Sequence, residues 1–157
     1  MPIVLARIDD RLIHGQVTEG WGKSLKPDVI VVVSDTVACS DWEKELCTAP
    51  LPETIRGEVV TVSEAAPVIN RLAADKARAF ILFESPADAY RAVSEGAKLP
   101  VINVGGMHSM RGKRRILDYI YVNDTDSEYL KALIASGVPL DFRDLPEHEG
   151  INVIERL

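Results

Sequence analysis

The feature that most constrains this chain is the recurrence of short, nearly continuous apolar runs. They are PIVLARI (2–8), DVIVVVSD (28–35), EVVTV (58–62), RAFILF (78–83) and LPVINVG (99–105). Each has strand length and is rich in Val and Ile. A strand with one wet face alternates polar and apolar side chains. Runs apolar at consecutive positions are buried on both faces, as in a parallel sheet covered by helices. Helical patterns fill the intervals at 16–26, 38–48, 64–75 and 87–97. Ser63 followed by Glu64 reads as a helix start, and Pro86 suits a first helical turn. The alternation predicts an α/β fold: an open, mostly parallel sheet with helices on both faces.

Beyond residue 105 the pattern loosens. ILDYIYV (116–122) reads as a sixth strand, SEYLKALIASG (127–137) as a helix and VPLDFRDL (138–145) as a short final strand. Residues 106–115 are a short connection for a helical crossover, so the sixth strand fits either direction. A chain of 157 residues without repeats or linker-like stretches is expected to form a single domain over 1–157.

Charge excludes one class of partner. Net charge is −6; residues 1–117 hold 15 acidic and 15 basic side chains, and the excess acid lies in 118–157. No general nucleic-acid surface is expected from such a balance. The densest basic run is Arg111, Lys113, Arg114 and Arg115, which is either a solvated loop or a docking rim. Cys39 and Cys47 fall eight apart in the helical pattern, about 12 Å along a helix axis, too far for a disulfide. No Cys/His spacing suggests zinc, so no metal or cofactor is expected. No membrane-length apolar stretch or signal peptide is apparent, which points to the cytoplasm.

In open α/β sheets ligands gather beyond the carboxyl ends of strands, near the point where strand order reverses. RIDDRLIHGQV (7–17) leaves the first strand at that end. It packs two arginines, two aspartates and a histidine ahead of a helix start. Gly15 and Gln16 open that helix, whose free N–H groups and dipole attract an anion. Arg11 offers a planar donor fork, and Arg7 a second one near the strand end. His14 is a competent nucleophile near neutral pH. Asp9 or Asp10 either orients its ring or holds an arginine; both assignments fit. A turn stabilised by Arg–Asp pairs beside a solvated histidine is the plain structural alternative. There is no nucleophile elbow, P-loop or dinucleotide fingerprint.

The same segment, RIDDRLIHGQV, resembles the phosphorylation-site segment of the IIB components of mannose/fructose/sorbose-type sugar phosphotransferase systems. INVGGMHSMRGK (102–113) resembles that family's second marker, an Asn-x-Gly-Gly loop, and the strand–helix succession matches along nearly the whole chain. The resemblance implies a six-stranded sheet of order 3-2-4-1-5-6 with an added edge strand. It implies that His14 accepts a phosphoryl group on Nδ1 from a IIA phosphohistidine and passes it to a sugar held by a membrane IIC–IID permease. Arg11, with Arg7 and the N–H groups of Gly15 and Gln16, is then expected to stabilise the phosphoryl group. Gly105 and Gly106 are expected to allow close backbone approach, with Asp9 and Asp10 supporting. The 111–115 run is expected to meet the donor, and Trp21 to pack in the core. The implied location is the cytoplasm, at the inner membrane face through IIC–IID; the short chain suggests no fused IIA domain. SDT (34–36) departs from the Asp-Asp-Glu-like stretch common in relatives, and His108 stands at a variable position. The alternatives are a regulatory phosphohistidine module and a non-catalytic, flavodoxin-like ligand-binding domain.

Overall fold

A computed structural model describes residues 2–157; Met1, which opens the expected 1–157 unit, lies outside the described residues. The apolar runs form β1 (Ile3–Asp9), β2 (Val29–Val33), β3 (Arg56–Val60), β4 (Ala79–Phe83) and β5 (Ile102–Gly106). Every residue of β2, β4 and β5 is buried, which is why these runs lack alternation. The sheet order is β3-β2-β4-β1-β5-β8, with β8 (Leu140–Phe142) in the sixth place. All five pairings are parallel.

Side-chain alternation along the strands divides the core into two layers. Val29, Val31 and Val33 face α4 (Val62–Ala73), α5 (Pro86–Ser94) and α6 (Asp124–Ala135). Ile30, Val32, Phe80 and Leu82 face the opposite side, where Val17 and Trp21 pack. Those two lie on a π-helical turn, Gln16–Trp21, that runs into α1 (Gly22–Leu25). No helix among the described residues is long and apolar enough to cross a membrane.

Several local expectations change. The 116–122 run is not one strand. It belongs to an antiparallel hairpin of β6 (Arg114–Leu117) and β7 (Ile120–Val122), separate from the main sheet. Asp118 and Tyr119 make its turn, and Met107 ties it to the end of β5 by backbone bonds with Tyr119 and Tyr121. The sixth place in the sheet therefore goes to the final strand, reached through α6. The 38–48 pattern divides into α2 (Asp35–Ala38) and α3 (Asp41–Thr48), because the Ser40 hydroxyl caps a new helix by accepting from Glu43 N–H. Cys39 thus lies in the turn that ends α2 and Cys47 on α3, and both are free thiols. α4 starts one residue ahead of Ser63, with Thr61 and Glu64 forming a reciprocal capping box.

Candidate active site

The site is assembled on the last three residues of β1. Arg7 and Asp9, two apart, project to the same side of the strand and have no solvent exposure. Arg7 Nη2 donates to Asp9 Oδ2 at 2.8 Å, and Nε to the same oxygen at 3.1 Å. Arg7 Nη1 donates to Asn103 Oδ1 at 2.8 Å and to the Asp144 carbonyl at 2.9 Å. The Trp21 ring lies under the guanidinium, 5.9 Å from Cζ to its centroid, and Trp21 Nε1 donates to the same Asp144 carbonyl at 2.8 Å. Arg7, expected among the phosphate-binding groups, thus has its donors committed inside the protein. Burial lowers its pKa, and the Asp9 carboxylate counteracts that effect.

Gly105 makes this packing possible. A Cβ at that position stands 1.9 Å from Arg7 Cζ, well inside van der Waals contact. A Cβ at Gly106 stands 2.9 Å from Asp9 Oδ1 and 3.1 Å from Arg11 Nη2. The two glycines of β5 are the wall against which the charged cluster rests.

After Asp9 the chain turns sharply. Leu12 N–H donates to the Asp9 carbonyl at 3.0 Å, and Arg11 N–H to Asp9 Oδ1 at 3.0 Å. Leu12 takes a left-handed φ of 58°, a strained conformation for a branched side chain, and its side chain is buried in the second core layer. The turn brings His14 back over Asp9, with Nε2 2.7 Å from Oδ2. Burial opposes ionisation of Asp9, but the His14 hydrogen bond and the Arg7 charge outweigh it and hold the carboxyl well below the usual range. An ionised carboxylate only accepts. Nε2 is therefore the protonated nitrogen of the neutral ring, and Nδ1 carries the lone pair. Gln16 N–H points at Nδ1 from 3.4 Å, and the His14 side chain is 17% exposed.

Arg11 is the accessible guanidinium. Its side chain is 36% exposed, and Nη2 donates to Gln16 Oε1 at 2.8 Å. Arg7 Nη2 reaches the same oxygen at 3.2 Å, so Gln16 bridges the buried and the exposed arginine. Asp10 turns away from His14. Its carboxylate accepts from His108 N–H at 2.8 Å and pairs with His108 Nδ1. This contact ties the 9–15 loop to the loop after β5. Between them opens a cleft of about 260 Å³, lined by Arg11, Gln16, His108 and the hairpin's Tyr119 and Tyr121, among others.

The basic run is less free than its composition suggests. Lys113 pairs with Asp126 at 3.0 Å, both side chains only 15% exposed. Arg115 pairs with Asp118, and Arg114 Nη2 lies 3.4 Å from Ser127 Oγ. Arg111, Arg114 and Arg115 remain exposed.

Sequence reasoning missed two supports. Asn103 receives Arg7 and donates from Nδ2 to the Arg143 carbonyl at 2.9 Å; its signal was the Asn of the Asn-x-Gly-Gly loop. The Asp144 carbonyl, a backbone group 137 residues from Arg7, leaves no signal in composition.

The family model of the PTS system sorbose subfamily IIB component matches residues 3–157. The fructose-specific EIIB component of Bacillus subtilis (strain 168) is 34% identical over 157 residues, covering 100% of this chain and 96% of that protein. The mannose-specific EIIAB component of Escherichia coli (strain K12) is 41% identical over 155 residues; the match covers 99% of this chain and 48% of that longer protein. The crystal structure of the IIBSor domain of the sorbose permease from Klebsiella pneumoniae aligns with a TM-score of 0.89 at 31% identity. That alignment covers 99% of this chain and 96% of that one.

Proposed function

The chain belongs to the sorbose-subfamily IIB components of the sugar phosphotransferase system, and from that premise we propose that residues 1–157 form one domain carrying a phosphoryl group on Nδ1 of His14. The donor is a IIA phosphohistidine. The final acceptor is a hydroxyl of a mannose-, fructose- or sorbose-class sugar presented by a IIC–IID permease, which holds the carrier at the cytoplasmic membrane face. The observation that carries this reading is the 2.7 Å contact between His14 Nε2 and the buried Asp9 carboxylate, because it leaves the Nδ1 lone pair for attack.

In the first transfer that lone pair forms the N–P bond while the donor histidine's N–P bond breaks and returns its electron pair to the donor ring. The His14 ring becomes a phosphorylated imidazolium that keeps its Nε2 proton. Asp9, 2.7 Å away, offsets the charge as it appears. Phosphoryl transfer of this kind depends on positioning and charge stabilisation. Arg11 and the N–H groups of Gly15 and Gln16 serve the phosphoryl oxygens. Arg7 acts behind them, as the buried counter-charge that keeps Asp9 ionised. Exposed Arg111 and Arg114, with the rest of the 111–115 run, steer an acidic donor surface toward the site.

Incubation with a phosphorylated IIA protein tests the reading. The wild type is expected to gain acid-labile phosphate and His14→Ala to gain none; equal labelling of the two overturns the assignment. Sugar phosphate formation with permease-bearing membranes then distinguishes a transport carrier from a regulatory phosphohistidine module.

A further inference from the structure

Gln16 meets the site twice. Its backbone N–H points at His14 Nδ1 from 3.4 Å. Its side-chain Oε1 accepts from Arg11 Nη2 at 2.8 Å and from Arg7 Nη2 at 3.2 Å. A guanidinium offers only donors, so two of them converging on one carboxamide fix its oxygen, not its nitrogen, on that side. The other anchor of the Arg11 head is Asp9. Arg11 Nε lies 3.3 Å from Oδ1, and Nη2 lies 3.5 Å from Oδ2, the oxygen that holds His14 Nε2 at 2.7 Å. The exposed guanidinium and the imidazole therefore meet at one carboxylate oxygen, and Gln16 closes the circuit of contacts from the Nδ1 side.

The charge of that circuit decides what it can receive. Arg7 and Arg11 are positive, Asp9 is ionised and Gln16 is neutral. With a neutral His14 ring the bonded group carries one net positive charge. A phosphoryl group arriving on Nδ1 brings negative oxygens to it. For Arg11 to serve them, Nη2 exchanges its bond to Gln16 for one to a phosphoryl oxygen. The carboxamide oxygen has no net charge, so an anionic oxygen competes with it successfully. A carboxylate at the same place would cancel the net positive charge, retain Arg11 and repel the incoming phosphoryl group.

Resting on the carrier role of His14 and the phosphoryl-stabilising role of Arg11, we propose that the Gln16 side chain is a positioning group for the transfer. It is a neutral acceptor that holds the Arg11 guanidinium beside His14 before phosphate arrives, and yields it to the phosphoryl oxygens as the N–P bond forms on Nδ1. The buried Arg7 donates to the same oxygen, so the carboxamide stays in place when Arg11 leaves it. A purely structural bridge makes a different demand. It asks only for an acceptor between two guanidinium groups, and a carboxylate fills that role at least as well.

The test is rapid-quench transfer from a phosphorylated IIA protein, over a range of concentrations up to saturation, with folding followed by urea denaturation. The proteins are the wild type, Gln16→Met, Gln16→Glu, Arg11→Ala and the Gln16→Met/Arg11→Ala pair. Gln16→Met fills the same space and keeps the backbone N–H but lacks the acceptor. It is expected to lower the first-order transfer rate about tenfold, the scale of one hydrogen bond, with the half-saturating IIA concentration unchanged. In the Arg11→Ala background the same substitution is expected to cost less than about twofold, since no guanidinium is left to position. Gln16→Glu is expected to be at least as stable as the wild type and yet to transfer about tenfold more slowly or worse, because its charge opposes the phosphoryl group. Gln16→Glu transferring as fast as the wild type, or an equal penalty from Gln16→Met with and without Arg11, overturns the positioning role and leaves the carrier reading intact. A wild type that takes up no phosphate on His14 overturns both.

Discussion

Nε2 of His14 lies 2.7 Å from Oδ2 of Asp9, an oxygen that is fully buried and already accepts two bonds from Arg7. One carboxylate therefore does two things: it neutralises a guanidinium inside the protein and it decides which histidine nitrogen faces outward. Stability and chemistry are coupled at this atom, and both are accessible to substitution.

Asp9→Asn removes the charge while keeping the shape, leaving Arg7 buried without a counter-charge. The expected loss is about 3 kcal/mol, the scale of breaking one side of a buried pair, measured by urea denaturation at neutral pH. The pH dependence follows from the sign of the Asp9 shift. Its folded-state pKa lies below the unfolded value, so its contribution is present above the ordinary carboxylate range and is lost as pH falls from about 5 through the folded value. The acid limb of the stability curve is expected to be flatter in Asp9→Asn than in the wild type.

Gly105→Ala tests the packing of Arg7 directly. The added methyl lands within 2.0 Å of both Cζ and Nη1 of that side chain, and the guanidinium is hemmed in by Asn103, Asp144 and Trp21. A destabilisation of about 1–3 kcal/mol is expected, typical of overpacking. The same substitution at Gly112, which meets no atom within 4 Å but has a φ of +85°, tests backbone strain without a clash. It is expected to cost about 1 kcal/mol, and phosphoryl uptake is expected to survive there.

Much of the fold was legible because β2 and β4 contain no polar residue, which double-sided burial alone explains. The hairpin was not legible, since Asp118 and Tyr119 interrupt ILDYIYV without a glycine or proline to mark the turn. At the site, the cluster's location was readable, but the division of labour between Asp9 and Asp10 was left open. The strand's two-residue period separates them: Asp9 shares a side with Arg7, whereas Asp10 meets His108. Asn103 and the Asp144 carbonyl reach Arg7 from 96 and 137 residues away, and no local pattern predicts such contacts.

Arg11→Ala is expected to slow phosphoryl transfer from IIA by about a hundredfold with little change in folding. It removes the exposed donor fork, and loss of one charge-stabilising contact has effects of that order. Arg11→Lys is expected to recover part of the rate, because a point charge replaces a planar fork. Rapid-quench kinetics with labelled donor reads both variants.

Steering by the basic run is separable from chemistry. Neutralising Arg111 and Arg114 together is expected to lower the second-order rate of transfer from IIA and to flatten its dependence on salt. Lys113 is a poor probe, since its half-buried pair with Asp126 couples any substitution to stability. Parallel salt curves with equal rates for wild type and the double variant overturn the steering role.

The most direct measurement is long-range 1H–15N NMR on the phosphorylated protein with 15N-labelled histidine, using His14→Ala to assign the signals. The account predicts the phosphoryl group on Nδ1 of His14, with Nε2 of the same ring protonated and hydrogen-bonded to Asp9. A phosphoryl group on Nε2 of His14, on His108, or on the chain's third histidine, His148, contradicts it.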